Sequence, residues 1–139
     1  METKNTLILL AVTFAILTIG ALSWAAEGEV KVPLMATKQH PNASGTAVIS
    51  NENISIQAKG LEPNGVYTVW FVNMKPKKHE AGAGEPPYMF KTDSYGNGTY
   101  WAPLKASPFG KWKMLMIVFH PTGDPKDMKN MVGGLSASL

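Results

Sequence analysis

From about residue 29 onward, apolar residues recur at every second position in short runs that Gly, Pro and Asn interrupt. That is the period of a strand, and no 11-residue window beyond this point carries a helical stripe. Strands are predicted over 29–36, 45–50, 54–59, 66–73, 88–92, 99–104, 112–120 and 132–138. In 54–59 the alternation is clean, with Ile54, Ile56 and Ala58 to one side and Ser55, Gln57 and Lys59 to the other, as in a strand with one wet face. The run 112–120 is apolar on both faces, Leu115, Ile117 and Phe119 against Trp112, Met114, Met116 and Val118. Both faces therefore need a cover, supplied by the segment 74–87 or by a partner. About seven or eight short strands in one domain predict an all-β, two-sheet Greek-key sandwich.

The connections carry their own chemistry. Ser50-Asn51-Glu52-Asn53 and Asp93-Ser94-Tyr95-Gly96-Asn97-Gly98 read as hairpin turns, because Asn and Gly supply the positive φ values such turns require. Asp93 is expected to bond its own turn backbone. Pro63-Asn64-Gly65 is a third turn, leading into Val-Tyr-Thr-Val-Trp-Phe-Val-Asn, where Trp70 is expected in the core. The segment 74–87, MKPKKHEAGAGEPP, reads as a long loop, and long loops in compact domains are often functional.

The first quarter of the chain differs. Residues 7–20 are almost wholly apolar, and 21–26 are rich in small residues, with Ser23 and Ala25 suited to signal-peptidase cleavage. Residues 1–25 are expected to be a signal peptide with a helical apolar segment, and 26–139 a single exported domain. The alternative is retention of 7–26 as a membrane anchor, since about 20 residues suffice to cross a bilayer. Export to the periplasm or the exterior fits a chain without Cys only if an ordinary hydrophobic core stabilises it. The missing Cys also excludes lipid attachment at the cleavage site, thiol catalysis and thiolate metal centres.

All 13 basic residues are Lys and none is Arg, so bidentate phosphate or base recognition is unavailable and nucleic acid is not an expected partner. The acids sit in turns and at strand ends, and no nucleophile elbow, phosphate loop or HExxH motif occurs. An enzyme is not expected. Trp70, Tyr88, Trp101 and Trp112 are the candidate contact surface for an unidentified protein or envelope component, unless they form the core.

Metal chemistry is the alternative. Beyond the first quarter lie His40, His79 and His120 with Met35, Met74, Met89, Met114, Met116, Met128 and Met131, and thioether with imidazole suits Cu(I). Met114, Met116 and His120 share a strand face, yet Met114 and His120 lie about 20 Å apart along a straight strand. The candidate ligands are therefore His79, Met89, Met116 and His120, with Met114 and Met116 as a separate pair. Methionine also fills gaps in cores, and sulfurs pointing inward would remove the ligands.

His79 followed by Met89 resembles the first half of the motif of periplasmic copper chaperones of cupredoxin-like fold, although His120-Pro121-Thr122 departs from the His-x-Met of its second half. A longer resemblance covers 60–139. GLEPNGVYTVWFV, FKTDSYGNGTY and a strand leading into HPTGDP are similar to the extracytoplasmic domain of anti-sigma-K-type regulators. SIQAKGLEPNGVYTVW also resembles the CHRD-type exported domains. These resemblances imply an immunoglobulin-like or cupredoxin-like sandwich, and no sigma-factor role, because the cytoplasmic sigma-binding region has no counterpart here. The reading reached is a non-enzymatic binding module of the bacterial cell envelope without cofactor, with a copper-binding protein as the alternative.

Overall fold

A computed structural model describes residues 28–139, and the predicted signal helix within 1–25 lies outside them. The described residues contain no helix. They form nine strands: β1 (Val30–Ala36), β2 (Ser44–Ile49), β3 (Asn53–Lys59), β4 (Val66–Asn73), β5 (His79–Gly82), β6 (Met89–Lys91), β7 (Gly98–Pro103), β8 (Met114–His120) and β9 (Val132–Ser138). Every pairing is antiparallel, along the path β5-β4-β8-β9-β1-β2-β3-β7, with β6 also on β4.

The sheet curls because β1 changes partner along its length. Val30 to Leu34 pair with β2, whereas Met35 and Ala36 pair with β9. The curl brings the inward side chains of the two arms together. Ile49, Ile54, Ile56 and Tyr100 come from one arm and Tyr67, Val69, Leu115, Ile117 and Leu135 from the other, all in one core cluster. Alternation dictates this choice, since each of these residues is flanked by residues that point outward.

Two turns match their sequence signatures. Ser50 N–H bonds Asn53 O (2.9 Å) between β2 and β3. Asp93 Oδ1 accepts from the backbone N–H of Tyr95 and of Asn97, both at 2.9 Å, and Gly96 takes the positive φ of 81°. These bonds hold the exposed Asp93 carboxyl below the ordinary carboxylate range, with the Asn97 N–H the largest cause. The expected hairpin ladder around that turn does not form. β6 pairs with β4 and β7 with β3, so the turn carries the chain from one arm to the other. A Cβ at Gly98 would run into the Phe90 ring, so the two strands meet through side chains.

The segment 74–87 is not the structureless loop expected. It contains β5, which extends the sheet at the edge of β4, and Ala83 just beyond it is buried in the core cluster with Leu115 and Ile117 of β8.

Candidate functional site

The four candidate aromatics separate. Trp112 is a core residue stacked on Phe71 (6.4 Å between centroids). Trp101 is 64% exposed on β7, alone on the outside of the opposite arm. Trp70, expected in the core, instead lies half-buried on the outer face of β4, because Val69 and Phe71 on either side of it point inward. Tyr88 meets it at 5.4 Å between ring centroids.

Local backbone chemistry fixes that pair. Tyr88 adopts a positive φ of 64° directly after Pro86-Pro87, and its carbonyl accepts from Val69 N–H (2.9 Å). Its ring lies over Gly82 of β5, where a Cβ would fall inside the ring, so only glycine fits there. The result is an open cleft of about 600 Å³ lined by Trp70, Pro86, Pro87, Tyr88, Pro125, Lys126 and Met128.

The opposite wall belongs to the β8–β9 connection, and a buried relay holds it in place. Trp70 Nε1–H donates to Thr68 Oγ1 (2.8 Å), and Thr68 Oγ1–H donates to His120 Nε2 (2.7 Å). His120 Nδ1–H then donates to the Asp127 carbonyl (3.2 Å). A carbonyl only accepts, so the proton is on Nδ1 and the Nε2 lone pair faces the threonine. The Asp127 carboxylate gathers the connection itself, accepting from Asn130 Nδ2 (2.9 Å), Thr122 Oγ1 (3.1 Å) and Lys129 N–H (3.1 Å). Its carboxyl is held below the ordinary range, chiefly by the Asn130 side chain.

The candidate metal ligands do not form one group. His79 begins β5 opposite Asn73, exposed, with its ring edge-on to Trp112 at 5.2 Å. His120 ends β8 opposite Val66. Asn73 and Val66 stand at opposite ends of β4, roughly 23 Å apart at the rise of an extended strand. Met89 lies opposite Thr68 and Met116 opposite Trp70, on the two sides of β4 and on its outer face. His120 shares that face but is buried, with both ring nitrogens engaged. Among the described residues no three His, Cys, Asp or Glu side chains are grouped so as to hold a metal ion.

Two parts of this face escaped the sequence. Pro125 and Met128 reach the cleft on a connection whose Asp127 carbonyl is bound by His120, a contact with no sequence signature. Met35 joins the face through β9, and its only sequence signal is its alternation with the buried Leu34. Comparison with protein-family models, with curated proteins and with solved structures returns no match to this chain.

Proposed function

We propose that the chain is an exported, non-enzymatic binding module of the bacterial cell envelope, acting in the periplasm or outside the cell. In this reading residues 1–25 are a signal peptide and 26–139 one domain. The curled sheet is a two-sheet Greek-key sandwich like the extracytoplasmic domain of anti-sigma-K-type regulators. A protein or envelope component is held against Trp70 and Tyr88.

The observation that carries the proposal is the cleft itself. Its lining is two aromatic rings, three prolines and one methionine, with Lys126 as the only charge. Aromatic side chains are the usual anchors of binding surfaces. The proline walls lose little conformational freedom on binding, and the Trp70 indole is already oriented by Thr68, so little ordering remains to oppose association. The second reading, a soft-metal carrier, draws support from a separate observation, the placement of the methionines.

Photo-crosslinking from inside the producing cell tests the contact surface. A photoreactive amino acid at position 128 is expected to give an adduct of one defined mass, and Trp70→Ala to abolish it. The same probe at position 101 gives none. Adducts of equal yield from both positions, or from neither, would contradict the assignment.

A further inference from the structure

Methionine is a common filler of irregular cores, yet none of the seven described methionines is in this one. Met35, Met74 and Met128 are exposed, and Met89, Met114, Met116 and Met131 are half-buried. The register shows where three of them gather. Met35 on β1 lies directly opposite Ser136 on β9, and Ser136 lies directly opposite Met116 on β8. Met114, next on the same face of β8, lies opposite Ser138. The inward partners in these strands are Leu34, Leu135, Ala137, Leu115 and Ile117, so Met35, Ser136, Ser138, Met114 and Met116 all point outward.

Met35 and Met116 are thus two strand spacings apart, about 10 Å, and Met114 and Met116 are roughly 7 Å apart along β8. Between them stand only short serines. The three side chains are long and flexible, and each has enough rotatable bonds to lean over the serines between them. On the far side of Met116 the next strand presents the Trp70 indole.

We propose that Met35, Met114 and Met116 form a thioether clamp for a monovalent soft cation, Cu(I) or its analogue Ag(I). The donor set selects the ion. The chain has no Cys, and the described residues offer no grouped carboxylates or imidazoles, so these three positions provide neutral, polarisable sulfur alone. Hard divalent cations require oxygen ligands, and Zn²⁺ takes imidazole, thiolate or carboxylate. The clamp stands independently of the Trp70–Tyr88 cleft, because its ligands come from β1 and β8.

The test is titration of the full chain, labelled at the methionine methyl carbons, with Ag⁺ followed by NMR. One equivalent is expected to shift the methyls of Met35, Met114 and Met116 and to leave those of Met74 and Met131 in place. The double variant Met114→Leu, Met116→Leu conserves volume at outward positions and is expected to keep its melting temperature while losing at least about tenfold in affinity. Met74→Leu, Met131→Leu keeps wild-type affinity. Anaerobic titration with Cu(I) against a competing chelator should give the same ranking. Absence of binding, equal affinity in both double variants, or shifts spread over all the methyls would overturn the clamp.

Discussion

Two buried histidines of this protein make the same set of bonds and serve different ends. His40 donates from Nδ1 to the Gly133 carbonyl (3.0 Å), and its Nε2 accepts from the Tyr67 hydroxyl (3.0 Å), which in turn accepts from Glu62 N–H (2.8 Å). His120 donates from Nδ1 to the Asp127 carbonyl, and its Nε2 accepts from Thr68, which accepts from the Trp70 indole. In each case imidazole links a connection between strands to the sheet through a backbone carbonyl on one nitrogen and a hydroxyl on the other. The first relay centres on the interior, with Tyr67 fully buried against Phe90 and Phe119 and its bond to His40 buried, and it ties the β1–β2 connection to β4 and β9. The second ends on a side chain that faces solvent. One device stabilises the fold, and the other orients the Trp70 indole and the cleft wall facing it.

Tyr67→Phe should break the first relay at the largest cost. It strips the donor from buried His40 Nε2, an orphaned group that costs about 1–3 kcal/mol, and also removes the acceptor of the part-buried Glu62 N–H. A fall in melting temperature of roughly 10 °C or more is expected for a domain this size, measured by circular dichroism. The crosslink from position 128 should persist below the new transition.

High pH attacks the same region. Burial pushes the hydroxyls of Tyr67 and Tyr100 up to about 12. The folded state therefore favours the neutral phenols, so their contribution is complete below the ordinary tyrosine value near 10 and disappears as pH rises toward 12. Denaturant midpoints should be flat from pH 8 to 9.5 and fall between 10 and 12. A midpoint that stays flat in Tyr67→Phe, Tyr100→Phe would confirm the source, and an equal fall in that variant would refute it.

Thr68→Val should cost less, about 1–2 kcal/mol, because only His120 Nε2 is stranded in the interior while the Trp70 indole can turn to water. Its effect on crosslinking from position 128 should exceed its effect on stability, the reverse of Tyr67→Phe. Equal behaviour of the two variants would erase the distinction between the relays. The smallest effect is expected from Asp127. Its depressed carboxyl contributes stability above the unfolded value of 3.8 that is lost as pH falls through the lower folded value, and because the group is exposed the global change is slight. Asp127→Ala should leave the melting temperature nearly unchanged and accelerate amide exchange in 121–131.

How much of this was legible in the sequence follows from the range of each interaction. The alternation of Ile54, Ile56 and Ala58, the Ser50–Asn53 turn and the Asp93 turn depend on neighbouring residues and were readable. β5 was not, because His-Glu-Ala-Gly has no strand preference and pairs only because the edge of β4 is available to it. Trp70 was misplaced because 66–72 is apolar nearly throughout, and which parity faces inward is settled by β8 and the opposite arm. The outward direction of Met114 and Met116 followed from Leu115 and Ile117, whereas the approach of Met35 required knowing that β9 lies between β1 and β8. His120 carried a misleading signal. A histidine ending a strand reads as an available ligand, and only its contact with a backbone carbonyl shows it to be fully engaged.

The most direct test of the central claim is the exchange rate of the tryptophan indole protons with solvent, followed by NMR. Trp70 Nε1–H should exchange slowly although its ring borders an open cleft, and Trp101 should exchange fast. Thr68→Val should release Trp70 to the Trp101 rate, while Tyr67→Phe leaves it protected. Trp70 exchanging as fast as Trp101 in the unmodified protein would contradict the relay and the pre-oriented cleft built on it.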